Sequence, residues 1–139
     1  MKHSGFDIAF LHPRYWLLWF GLGLLWLITQ LPYKVLLRLG RALGALMQRV
    51  AHSRRHIVTR NIELCFTHLS VAERDALVRE NFASMGIAFF EMAMSWWWPK
   101  KRLSRLVQVQ GLEHLQAAQA QGQGAILMAI HFTTLEIGA

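Results

Sequence analysis

This sequence is short of cysteine and of acidic side chains. Cys65 is the single cysteine, so no intramolecular disulfide and no cysteine metal cluster can form, which fits a reducing compartment. Eight Asp and Glu face fifteen Lys and Arg, a formal charge of +7. That excess implies an anionic partner, whether nucleic acid, anionic lipid or an acidic protein, and charge alone does not choose among them. There is no internal repeat and no low-complexity linker. What is abundant is apolar surface: 54% of the 139 residues are hydrophobic and six are Trp, which places the chain between the soluble and membrane classes.

The nineteen residues from Tyr15 to Tyr33 carry no charge and are strongly apolar. A helix of that length would reach ~28 Å, close to the hydrocarbon thickness of a bilayer. The run is too long for a signal peptide and ends in Gln30-Leu31-Pro32-Tyr33 instead of a small-residue cleavage site. An uncleaved transmembrane anchor is therefore expected, with a buried core helix or re-entrant hairpin as the alternative. Lys2 and Arg14 flank it on one side, whereas Lys34, Arg38, Arg41, Arg49, Arg54, Arg55 and Arg60 follow before Glu63, so the positive-inside rule puts the body of the chain in the cytoplasm.

After Pro32, Lys34, Arg38, Arg41 and Arg49 fall within an arc of about 80° at helical spacing, opposite Leu36, Leu39, Leu43, Leu46, Met47 and Val50. A basic amphipathic helix of this kind suits an anionic membrane surface. Packing of the apolar face on the rest of the domain is the other reading, and one helix can do both in part.

Ser70-Val71-Ala72-Glu73 has the form of a capping box and predicts a helix from Val71 to about Met94, with Leu77, Phe82, Met85, Phe89 and Met92 as a core stripe and Pro99 as a stop. Trp96-Trp97-Trp98 beside Lys100, Lys101 and Arg102 reads equally as a headgroup boundary or a packed aromatic cluster. Leu106 to Val109 is a strand candidate, Leu112 to Gln121 a helix, Gly122-Gln123-Gly124 a turn, and Ala125 to Ile130 a buried strand. The glycine pair precedes a strand and does not satisfy a dinucleotide fingerprint. The expectation is an α/β fold: an N-terminal transmembrane helix, a helical segment, then the start of a mostly parallel sheet with crossover helices. Residues 1–33 would form the tail and anchor, and 34–139 the N-terminal part of a cytoplasmic domain that is incomplete at its C-terminus.

His131 follows directly on the second strand candidate, where open α/β sheets bind ligands. Five residues on, Glu136 would sit about 140° away if the segment were all helical, so His131 must occupy the turn if the two are to meet. Thr133-Thr134-Leu135-Glu136 is also a capping box, and spacing alone favours capping because such boxes are common.

His131-Phe-Thr-Thr-Leu-Glu136 resembles the His-x-x-x-x-Asp/Glu motif of the glycerolipid acyltransferase superfamily, and its setting resembles the late acyltransferases of lipid A biosynthesis, the lauroyl and myristoyl acyltransferases. The likeness extends through Arg60-Asn61-Ile62 with Cys65-Phe66, Asn81-Phe82 with Ser84, Gly86 and Glu91, and Gly111-Leu112-Glu113-His114-Leu115. It implies His131 as general base and Glu136 as its orienting carboxylate, with acyl carrier protein as donor and a lipid A precursor as acceptor. It also implies residence at the cytoplasmic face of a bacterial inner membrane, with anionic membrane lipid as a further partner. No cofactor, metal or nucleic acid is implied, and His3, His12, His52, His56, His68 and His114 lack a carboxylate at the telling spacing. Another phospholipid or glycolipid acceptor, or a non-catalytic membrane module, remains the alternative.

Overall fold

The computed structural model describes residues 8–126, 128 and 133. Two short 3-10 turns, Ile8–Leu11 and Pro13–Tyr15, lead into α1 (Trp16–Thr29), α2 (Tyr33–Val50), α3 (His52–Cys65), α4 (Val71–Trp97), the single turn α5 (Lys100–Leu103) and α6 (Leu112–Ala120). No strand occurs among the described residues.

The centre is the crossing of α2 and α4, which run antiparallel. Leu36, Gly40 and Gly44 recur every four residues on α2; Val78, Phe82, Gly86, Phe90 and Met94 do the same on α4. Both rows are buried, so each helix offers the other an i, i+4 ridge. The glycines let the backbones touch. A Cβ added at Gly44 would land on the Phe82 carbonyl, one at Gly86 on the Gly40 carbonyl, and one at Gly40 2.6 Å from the Ile87 Cα. Beside this contact Leu36, Phe90, Met94 and Trp98 form the core cluster, flanked by Leu25, Ile28, Tyr33, Leu43 and Leu103. Full burial of each such side chain contributes roughly 1.5–3 kcal/mol.

The capping box forms as its sequence predicts. The Ser70 amide donates to Glu73 Oε2 at 2.8 Å, and the Glu73 amide donates to Ser70 Oγ at 3.4 Å. The helix it opens outlasts the expected end by three residues, reaching Trp97 before Pro99. Of the expected core stripe, only Phe82 is buried; Leu77, Met85 and Phe89 are exposed by 36%, 39% and 43%. The true core row sits one helical step round, on Val78, Phe90 and Met94.

The expected transmembrane helix is corrected. Its apolar run does not stay helical to Tyr33: α1 has 14 residues, and its last amides tighten, Gln30 onto Leu27 O and Leu31 onto Ile28 O. At ~1.5 Å per residue it measures about 21 Å, short of the ~30 Å hydrocarbon layer. No helix among the described residues is long and apolar enough to cross a membrane. Pro32 accounts for the break, since it has no amide proton and disfavours helical geometry in the preceding residue; it stands as N-cap of α2 at φ −57° and ψ 143°.

The α/β expectation is overturned as well. Leu106 is in a turn, 107–110 are irregular, and Ala125, Ile126 and Met128 are not in a strand, with Ile126 97% and Met128 90% exposed. A strand exists only where a neighbour pairs its amides and carbonyls, and nothing described here pairs with either segment. The other residues of the second strand candidate lie outside the described ones.

The glycine crossing yields a clean contrast. Gly44→Ala should destabilise the protein by about 1–3 kcal/mol through backbone overpacking. Gly21→Ala on α1, where an added Cβ meets nothing within 4 Å, should be neutral or mildly stabilising. Denaturant midpoints of the two variants against wild type measure both.

Candidate functional site

The end of α1 is tied to the end of α4 by polar contacts the sequence did not announce. Trp98 Nε1 donates to the Thr29 carbonyl at 2.7 Å, and Thr29 itself is fully buried. Arg102 Nη2 donates to the carbonyls of Gln30 and Leu31, each at 3.1 Å, while its guanidinium lies 3.5 Å over the Trp98 ring. These donors satisfy carbonyls that the break at Pro32 leaves without helical partners. The Trp cluster is thus divided: Trp98 is core, and Trp96 is 60% exposed.

Beside this corner, Tyr33 donates to Glu91 Oε1 at 2.8 Å. Glu91 is only 3% exposed, and its Oε2 has no hydrogen-bond partner among the described residues. Burial, then the hydrogen bond and negative charge of Glu91, push the Tyr33 hydroxyl up to about 12. A phenol held that high stays protonated at neutral pH and works as a donor that positions α2 on α4, not as a base. The signal was available: Glu91 is a lone carboxylate between Phe89, Phe90 and Met92, Ala93, Met94.

His131 and Glu136 lie outside the described residues. Thr133, between them in sequence, is described: it lines a cavity of about 280 Å³ between α2 and α4 with Leu43, Met47, Met85, Ala88, Phe89 and Met92. The outward Met and Phe positions of α4 therefore face Thr133. Flexible thioether side chains adapt to irregular apolar occupants.

The remaining chemistry is sparse. No group of three or more His, Cys, Asp or Glu among the described residues could hold a metal ion, and Cys65 is exposed. His12 Nδ1 accepts only the Arg14 amide at 3.3 Å, and His114 lies 3.9 Å from the carboxylate of Glu113 with both side chains exposed. The basic arc of α2 is real: Lys34, Arg38, Arg41 and Arg49 are all exposed. Packing on the rest of the domain is seen in part: Leu36 is buried against α4, while Leu39, Leu46 and Val50 stay 38%, 55% and 64% exposed.

The described residues thus present an apolar helix, an exposed cationic arc beside it and a Met-lined cavity at Thr133. The chain belongs to the bacterial lipid A biosynthesis acyltransferases, whose family model matches residues 3–139. It is 51% identical over 134 residues to the lipid A biosynthesis lauroyltransferase of Escherichia coli (strain K12), covering 96% of this chain and 44% of that protein. To the palmitoleoyltransferase of the same strain it is 47% identical over 133 residues, with 96% and 44% covered; to the myristoyltransferase, 34% over 138 residues, with 96% and 42% covered. The chain thus spans less than half the length of these relatives. No solved structure matches.

The tyrosine at the corner gives a titration test. Because burial first, and the contact with Glu91 second, hold its folded value above the ordinary 10, the protonated Tyr33 favours the fold fully below pH 10, and the contribution fades as pH rises through about 12. Absorbance titration should show a phenolate component with a midpoint of about 12 that is missing in Tyr33→Phe. A Tyr33 midpoint at the ordinary value would mean that neither the burial of the hydroxyl nor its contact with Glu91 is kept in solution.

Proposed function

We propose that the full-length protein transfers a fatty acyl group from acyl carrier protein to a hydroxyl of a lipid A precursor in lipopolysaccharide biosynthesis. The work is done at the cytoplasmic face of a bacterial inner membrane. The match of the family model to residues 3–139 carries this reading. Three relatives named for lauroyl, palmitoleoyl and myristoyl transfer support the donor as a fatty acyl group while differing in its chain.

In this mechanism His131 removes the proton from the acceptor hydroxyl as its oxygen attacks the thioester carbonyl. The new C–O bond forms, the C–S bond breaks, and the departing thiolate takes the proton back from the imidazolium. Glu136 holds the imidazole in the required tautomer and stabilises its cation. No acyl-enzyme intermediate is needed. Attachment to anionic lipid is supported by the exposed apolar side chains of α1, among them Leu17 at 82% and Phe20 at 71%, and by the cations of α2.

Acyl transfer from labelled acyl carrier protein to a purified lipid A precursor tests the reading in the full-length protein. His131→Ala should lower kcat by about 10²–10⁴-fold. Glu136→Gln keeps a capping side chain and should still lose most activity; near-wild-type turnover would make Glu136 a cap and nothing more. Wild-type protein that leaves this acceptor unmodified would sink the lipid A assignment.

A further inference from the structure

Between α1 and the α2–α4 pair lies an open groove of about 740 Å³, lined by Leu18, Gly21 and Leu25 of α1, Leu43 of α2 and Phe89 of α4. Arg14 is its one charged lining residue. The volume and lining are those of a site for a long apolar ligand with a single charged group to orient it. Gly21 borders open space, since a Cβ there would meet nothing within 4 Å. The Arg14 guanidinium lies 4.5 Å over the Tyr15 ring and donates to its hydroxyl, and no carboxylate among the described residues pairs with it. Among the described residues no acidic group neutralises it, so it can receive an anion.

The surroundings indicate what fills this space. On another side of α1, Phe20, Gly23, Trp26 and Leu27 line a second apolar depression of about 370 Å³. Trp16 and Leu27 are 65% and 58% exposed. Apolar surface exposed on two sides of α1 is what surrounding hydrocarbon would cover.

We propose that the groove between α1 and α4 holds an acyl chain of an anionic membrane phospholipid, with the lipid phosphate at Arg14. The site rests on the membrane attachment proposed above. It differs from the acyl-transfer site in that its ligand stays intact, serving to seat α1 in the lipid while α2 and α4 stand beside it.

The test uses full-length protein on vesicles of phosphatidylglycerol or phosphatidylcholine, each carrying a photoactivatable group in the acyl chain, with adducts mapped by mass spectrometry. Adducts at Leu43 or Phe89, as well as on α1, are expected from phosphatidylglycerol. Gly21→Leu fills the groove and should cut the Leu43 and Phe89 adducts roughly tenfold while the protein still sediments with vesicles. Arg14→Gln should reduce the preference for phosphatidylglycerol about fivefold. Adducts confined to Phe20, Trp26 and Leu27 in vesicle-bound protein would overturn the groove and leave membrane attachment standing. Failure to sediment with either vesicle would overturn both.

Discussion

The backbone contact between α2 and α4 is the constraint on which the other elements depend. Gly40, Gly44 and Gly86 remove three side chains from the crossing, and the helices approach until Cβ atoms would have no room. That approach brings Leu36 against Phe90 and Met94 at one end and fixes the antiparallel register along the whole contact. Packing at this density behaves as a bistable fit rather than an adjustable one, because dispersion and burial are lost together when the surfaces separate. The helices α1 and α3 are then placed by what they hold on to, α1 through its corner with Trp98 and Arg102, α3 along α4 with no buried residue of its own.

The corner after α1 shows how an apolar segment is stopped without a charge. Thr29 Oγ1 donates to the Trp26 carbonyl at 2.7 Å, Pro32 withholds an amide, and Trp98 and Arg102 take up the carbonyls that follow. Each contact is modest by itself; a typical internal hydrogen bond contributes about 1 kcal/mol. Together they convert a run that hydropathy treats as continuous into a 14-residue helix with a polar hinge point. Tyr33 and Glu91 repeat the pattern one turn further on, a buried carboxylate being tolerable only where a donor meets it.

What could be read from the sequence was what local physics decides. Ser70 and Glu73 announced α4 because the capping box is a contact within four residues, and the cations of α2 announced an exposed arc because helical phase is fixed by 100° per residue. Hidden features depended on partners far along the chain. Pro32 lies inside the charge-free run and is the local sign that α1 ends; hydropathy summed over the run does not register it. Leu106 to Val109 has strand composition and no strand beside it, so composition had nothing to act on. The stripe through Met85 and Phe89 was assigned to the core by its spacing, yet α4 carries two apolar rows and the glycines of α2 selected the other one. Gly40, Gly44 and Gly86 read as weak helix residues until their approach is seen.

The same helix that forms the core also directs the charge. Arg41 and Glu80 are 4.0 Å apart with side chains 62% and 64% exposed, an ion pair too wet to hold either charge firmly. The α2 cations thus remain available to anions, over a range that salt shortens to about 8–10 Å. Their direction is not an independent choice. A slip of α2 by one residue would turn it through 100° and take Gly40 and Gly44 off the crossing, and in one direction it would carry the Lys34–Arg38 edge toward α4. The close fit of the glycines therefore fixes both which apolar residues are buried and which way the basic arc faces. In a protein proposed to meet lipid with an apolar helix and anions with a basic one, a single register sets both encounters.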